Sequence, residues 1–160
     1  MLQERNYSVS RYVLLDPNAL SYAAHVKSCP YRTGRVNNIA PDGATIINAG
    51  AEHFFDALII VNVLEHVENA VKILRNTYNA LKPGGTLIFH ERWWDNYTPP
   101  DVLDLDALLH PIRVRESVVD SFLSGFDSRY EKRGKDVRSF SVNGRNFTGV
   151  YFIGKKRNIC

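Results

Sequence analysis

Apolar positions along the chain gather into short runs separated by polar and glycine-rich punctuation, and the period of each run sets the element it predicts. The clearest stretch lies between Phe55 and Glu91. Ala57 to Val61 (ALIIV) is a short run rich in β-branched residues, suited to a strand buried on both faces. Asn62 breaks the run, and Glu65-His66-Val67-Glu68 follows as a polar loop. Asn69 then caps a helix in which Ala70, Val71, Leu74, Tyr78 and Leu81 share one face. Lys82-Pro83-Gly84-Gly85 stops that helix, because glycine supplies a positive φ and proline forbids continuation. Thr86 to His90 (TLIFH) opens the next strand. Strand, helix and strand in this order predict a right-handed βαβ unit within a parallel sheet.

The flanks are less regular. Residues 1–10 are polar, and Arg11 to Leu15 (RYVLL) reads as a strand ended by Asp16-Pro17. Asn18 opens a short helix through Ala19, Leu20, Tyr22, Ala23, Ala24 and Val26. Residues 29–43 hold Pro30, Gly34, Pro41 and Gly43 and read mostly as loop. Thr45 to Asn48 is a short strand, followed by Ala49-Gly50-Ala51-Glu52. Beyond Glu91, Arg92 to Tyr97 is an aromatic-rich loop. The run DVLDLDALLH up to His110 fixes no period and suits either a short helix or an insert. Glu116 to Leu123 predicts a helix, and Phe126 to Lys132 and Asn146 to Lys155 predict the last strands, with Asn143-Gly144 as a hairpin signal.

The run FDALIIVNVLEHV followed by LKPGGTLIFHE resembles the second half of a class I S-adenosylmethionine-dependent methyltransferase, of the small-molecule group called type 11. The resemblance covers residues 11–91 well and the rest loosely. It implies an α/β fold: a Rossmann-like three-layer sandwich with a mostly parallel sheet, closed by an antiparallel C-terminal strand pair. The family's first strand and its glycine-rich G-x-G-x-G loop have no counterpart, since the first glycine is Gly34. The expectation is therefore a single, N-terminally truncated domain over residues 1–160. Either the strands flanking the gap close up, or a partner chain or a second copy covers the missing strand.

The resemblance also implies roles. Asp16, at the end of an acid-terminated strand, takes the cofactor ribose; read alone, such a residue is more often a turn or N-cap aspartate. Gly50 stands where the family carries the acid that meets adenine, leaving the Ala51 amide and the Glu52 carboxylate as candidates. Asn62 and Val63 lie at the carboxyl end of the central strand, facing the methionine end of S-adenosyl-L-methionine. His66 and His90 are the candidate general bases for a hydroxyl acceptor; a loop histidine such as His66 is also commonly structural or solvated. Trp93 and Trp94 either line a lid over an apolar substrate or pack back onto the core. His110 and Arg113 suit a substrate carboxylate, which arginine binds through a planar fork, or else lie on the surface. No metal is required.

Composition narrows the partners. The chain has 160 residues, 44% hydrophobic and 23% charged, as in an ordinary globular domain. A net charge of +3, with basic stretches at 129–138 and 155–157, reads as solvated surface rather than a nucleic-acid footprint. Cys29 and Cys160 show neither metal spacing nor a disulfide framework, which predicts a reducing compartment. No apolar run approaches the ~18 residues of a membrane span, and the polar start lacks the core of a signal peptide. The expected setting is cytoplasmic, with a small-molecule acceptor and neither nucleic acid nor membrane as partner. Two functions remain: methyl transfer, or a degenerate non-catalytic domain that binds a partner. A nicotinamide oxidoreductase shares the acid-ended strand but fits the LEHV and KPGG stretches poorly.

Overall fold

The computed structural model describes residues 14–15, 24–25, 39–40, 52–93, 95, 112–134 and 148–158. The expectations for Asp16, Gly50, Ala51, Trp94 and His110, for the strand at 45–48 and for the Asn143-Gly144 turn lie outside the described residues. The chain divides into two compact units, 1–50 and 51–160.

In the first unit, β1 (Leu14–Leu15) pairs in parallel with β2 (Ile39–Ala40), Leu14 opposite Ile39 and Leu15 opposite Ala40. Ala24 and His25 between them are helical, as expected. β1 falls inside the expected strand. β2 falls where a loop was expected, because a two-residue apolar step flanked by Asn38 and Pro41 carries no period of its own. Pairing with β1 decides its state.

The second unit is built on β3 (Phe55–Val61), α1 (Ala70–Ala80), β4 (Leu81–Trp93), α2 (Glu116–Leu123), β5 (Phe126–Gly134) and β6 (Thr148–Lys156). The sheet order is β3-β4-β6-β5. β3 and β4 are parallel and joined through α1, so the expected βαβ unit is present. β6 runs antiparallel between β4 and β5, forming the expected antiparallel closing pair. An irregularity at Lys82–Gly85, inside β4, interrupts the β3–β4 register: Phe55 faces Leu81, and regular pairing resumes at Ala57 with Thr86. Gly84 takes φ +70 within it, the conformation that glycine allows cheaply.

α1 begins as expected, with the Asn69 side chain accepting from the Lys72 amide at 2.9 Å. Its buried face is Ala70, Ile73, Leu74, Thr77 and Ala80, while Val71 is exposed. The expected face, which included Val71, is corrected: the i, i+3, i+4, i+7 stripe that starts at Ala70 runs through Ile73, Leu74 and Thr77. At the other end of α1, Lys156 donates to the carbonyls of Tyr78 (2.5 Å) and Leu81 (2.8 Å), a cation placed where the helix dipole favours one.

One face of the sheet carries the core. Ile60, Leu87, Phe89, Val150 and Phe152 cluster with Leu74 of α1 and Val119 and Leu123 of α2. Edge-to-face rings extend the packing, with Phe126 5.5 Å from Tyr78 and 5.2 Å from Phe122. The opposite face is exposed over part of its extent among the described residues. Ile59 is 67% exposed and Val61 52%, and Ile153 and Tyr130 in the same cross-strand row as Ile59 are exposed too. The expectation that residues 57–61 are buried on both faces is thus overturned. Among the described strands β3 pairs only with β4, and it meets the core through Phe55, Leu58 and Ile60.

Candidate active site at the carboxyl edge of the sheet

Parallel pairing brings the carboxyl ends of β3 and β4 together, Val61 opposite His90. The next residue, Asn62, turns left-handed at φ +54 and donates its amide to the His90 carbonyl at 2.9 Å. A non-glycine residue at positive φ is uncommon, and asparagine tolerates it better than most. The chain then enters a short 3-10 turn, Leu64–His66. This is the edge at which open α/β sheets take ligands.

The last residues of β4 hold that turn. Glu91 Oε1 accepts the amides of Val63 at 2.6 Å and Leu64 at 2.9 Å. Arg92, whose strand position points to the other face, forms a two-pronged ion pair with Glu65, Nε to Oε2 and Nη2 to Oε1, both at 2.8 Å. Glu91 and Glu65 are 1% and 2% exposed. Burial pushes the Glu91 carboxyl up to about 7 and Glu65 adds to the rise, against the downward pull of the two amides and Arg92. A carboxyl balanced there exchanges its proton near neutrality.

Among the sequence-predicted residues, Asn62, Val63, His66 and His90 meet at this edge. Asn62 presents an exposed side chain. Val63 has its amide on Glu91 and its carbonyl on the His66 amide at 3.0 Å, so it offers a ligand its exposed side chain rather than its backbone. His66 is half-exposed, with Nε2 3.7 Å from Glu65 Oε1, close enough for charge attraction but beyond a hydrogen bond. The His90 ring stacks on Tyr151 of β6 at 4.1 Å. Arg113 joins them through its neighbour, as the Ile112 amide donates to the Glu65 carbonyl at 3.3 Å.

Two residues fall elsewhere. Glu52 lies in the turn before β3, where the amides of His53 and Phe54 bond to the carbonyls of Asn79 and Ala80 at the end of α1, and where its charge acts on Lys156. The seven residues of β3 separate it from Asn62 by roughly 20 Å. Only His53 and Phe54 lie between Glu52 and the strand, which is too short a path to bring Glu52 to the carboxyl edge. Trp93 is 5% exposed within the core, with the Arg133 guanidinium 5.9 Å above its ring, so it forms no lid.

Sequence reading missed the grip of Glu91 and the Glu65–Arg92 pair. The available signal was two adjacent charges, Glu91-Arg92, at the end of an otherwise apolar strand, where charges are retained only with partners. Asp95 was also missed: its carboxylate accepts the Glu116 amide at 2.6 Å and so serves the first turn of α2 from 21 residues away. Among the described residues no three His, Cys, Asp or Glu side chains converge on a metal-sized site.

A family model described as a methyltransferase domain matches residues 1–87. The chain belongs to the methyltransferase domain family. No curated protein sequence matches it. The N-methyltransferase NodS from Bradyrhizobium japonicum WM9 shares the fold at TM-score 0.58 and 15% identity, over 92% of this chain and 74% of NodS. A putative sarcosine dimethylglycine methyltransferase from Galdieria sulphuraria aligns at TM-score 0.58 and 12% identity, over 91% of this chain and 68% of its own. The [4+2]-cyclase SpnF aligns at TM-score 0.58 and 14% identity, over 91% of this chain and 64% of SpnF. At such identities the likeness is one of fold, and it agrees with the Rossmann-like methyltransferase architecture. No helix among the described residues is long and apolar enough to cross a membrane.

Proposed function

We propose that the chain binds S-adenosyl-L-methionine at the carboxyl edge of β3 and β4 and transfers a methyl group to a small-molecule acceptor. The observation that carries this reading is Asn62, turned left-handed where two parallel strands end, with its side chain exposed and its amide fixed on His90. The residues suit the methionine end of that cofactor. An asparagine side chain offers both a donor and an acceptor, as a zwitterionic amino-acid group requires, and exposed Val61 and Val63 supply an apolar surround. When bound, the cofactor supplies a sulfonium methyl that is already electrophilic.

This chain's residues then hold, orient and move protons. Asn62 holds the amino-acid end. By the family resemblance, Asp16 is the candidate for the ribose and Gly50 and Ala51 are the candidates for the adenine. His66, whose Nε2 lies 3.7 Å from Glu65 Oε1, accepts the acceptor's proton; His90, held flat on Tyr151, is the alternative base. Arg113, His110 and Trp94 are the candidates for contact with the acceptor. Alignment of acceptor and methyl accounts for most of the acceleration such a site needs. The setting is the cytoplasm, and the acceptor is neither nucleic acid nor lipid surface.

A second reading, cofactor or partner binding without transfer, is favoured by one observation: Glu52, the remaining acid for adenine, stands at the opposite end of β3. Calorimetric titration of S-adenosylhomocysteine with Asp16→Ala as control, followed by transfer of labelled methyl to a panel of small amines and phenols, separates the two. Binding lost in Asp16→Ala together with label transfer supports the enzyme. Binding without transfer to any acceptor supports the second reading, and no binding up to about millimolar ligand, a free energy near 4 kcal/mol, rejects the cofactor site.

A further inference from the structure

Three consecutive residues of β4 hold four consecutive residues after β3. His90 takes the Asn62 amide, Glu91 takes the Val63 and Leu64 amides, and Arg92 takes the Glu65 carboxylate. The middle grip alone joins a buried charged side chain to the backbone of the loop. We propose that Glu91 is the positioning residue of this site. By holding the two amides it fixes the left-handed turn at Asn62, and so the direction in which the Asn62 side chain meets the ligand. The inference rests on the cofactor reading above and deepens it. Glu91 touches no ligand and acts through Asn62.

The chemistry argues against a mere cap. Two loop amides need only a neutral acceptor, and a glutamine carbonyl at this place would satisfy both. A carboxylate buried beside a second buried carboxylate is disfavoured by desolvation and by repulsion. What the charge adds is strength, because amide bonds to an ionised oxygen are shorter and stronger than those to a neutral one. The loop needs that strength. Asn62 holds an unfavourable φ, and Val63, the residue that leads into the 3-10 turn, provides no side-chain cap. Among the described residues the charges that act on Glu91 are Glu65 on the turn and Arg92 on β4, while His66 and the segment carrying Arg113 lie against Glu65. Directly opposite on β6 stands Val150, which carries no charge.

The test compares the full chain with Glu91→Gln and Glu91→Ala. S-adenosylhomocysteine is titrated calorimetrically, and amide NMR signals of Asn62, Val63 and Leu64 are followed, from about pH 8 down to about pH 6, the range that spans the Glu91 titration. The wild type should bind about five- to tenfold more weakly at the acid end, as charge-assisted bonds become neutral ones, and the three amide signals should move with it. In Glu91→Gln the protein stays folded, the amides stop titrating, and binding is weaker by a similar factor at the alkaline end. That acid-side loss should then disappear. Glu91→Ala should be weaker again; if it fails to fold, the glutamine variant carries the comparison. Wild-type binding matched by Glu91→Gln at every pH overturns the inference and leaves the cofactor reading standing. A wild type that binds no S-adenosylhomocysteine rejects the cofactor reading, and the positioning role with it.

Discussion

The carboxylate of Glu91 lies beneath the amide of Val63 at 2.6 Å, so the end of one strand fixes the loop that leaves its neighbour. The relationship joins residues 28 positions apart. It places a titrating group where the fold would otherwise need a neutral one, and stability should register this.

Glu91 titrates at about 7 in the folded chain against an ordinary 4.5. Between those values the folded state keeps a proton that the unfolded chain releases. The stabilisation associated with the protonated carboxyl is therefore complete below about 4.5 and is lost as the pH rises through about 7. At ~1.4 kcal/mol per unit, the loss is on the order of 3 kcal/mol. Urea denaturation at about pH 5 and about pH 8 should show lower stability at the higher pH, and Glu91→Gln should flatten the difference. Equal slopes in the two proteins would mean that another group sets the pH dependence.

The ion pair of Glu65 and Arg92 responds differently. Glu65 is buried and its partner nearly so, so Arg92→Ala leaves an uncompensated charge in the interior. Denaturation should report a loss of about 3 kcal/mol or more. Glu65→Gln combined with Arg92→Met removes both charges and should recover much of that loss. A single Arg92→Ala cost under about 1 kcal/mol, the range of exposed pairs, would mean that water reaches Glu65.

Much of this fold was legible because its period is strong where it matters. The LIIV run and the Asn69 cap each act locally, and the structure uses both; the helix ends at Ala80, and the KPGG stretch expected to stop it lies inside β4, which begins at Leu81 rather than Thr86. The antiparallel closing pair followed from the family resemblance, not from any period in those strands, and the placement of β6 between β4 and β5 was not read from it. What escaped was long-range. Val71 looked like a core residue because apolarity alone does not say which of two adjacent stripes faces the sheet. The β2 pairing, the reach of Asp95 to Glu116 and the grip of Glu91 depend on partners more than 20 residues away. At the site, Asn62, Val63, His66 and His90 could be grouped from the end of a strand and the start of a loop. Glu52 could not be placed, because a motif position does not reveal at which end of β3 the short link emerges.

The two sheet faces should differ sharply in their tolerance of substitution. Phe89 is buried against Phe122 at 5.5 Å, and Phe89→Ala should cost about 3 to 5 kcal/mol by loss of transfer energy and opening of a cavity. Ile59→Ser, in the open row on the other face, should cost less than about 1 kcal/mol. Thermal denaturation of the two variants makes the comparison. An Ile59 cost matching that of Phe89 would mean that a further layer packs on this face in solution.

Asn62 separates stability from function. Its φ of +54 is a conformation that glycine adopts without steric cost, so Asn62→Gly relieves strain while adding chain entropy to the unfolded state. These effects oppose each other, and stability should stay within about 0.5 kcal/mol of wild type. The side chain that meets the ligand is gone, however. A hydrogen bond to a charged group contributes about 1.5 to 3 kcal/mol, so S-adenosylhomocysteine should bind at least about tenfold more weakly. Denaturation and calorimetry on the same preparation give both numbers. Unchanged affinity with unchanged stability would remove Asn62 from the site and leave its left-handed turn as a device of the backbone alone. A stable protein with weakened binding would place the selection for asparagine over glycine at this position in the ligand, since the fold itself has no need of the side chain.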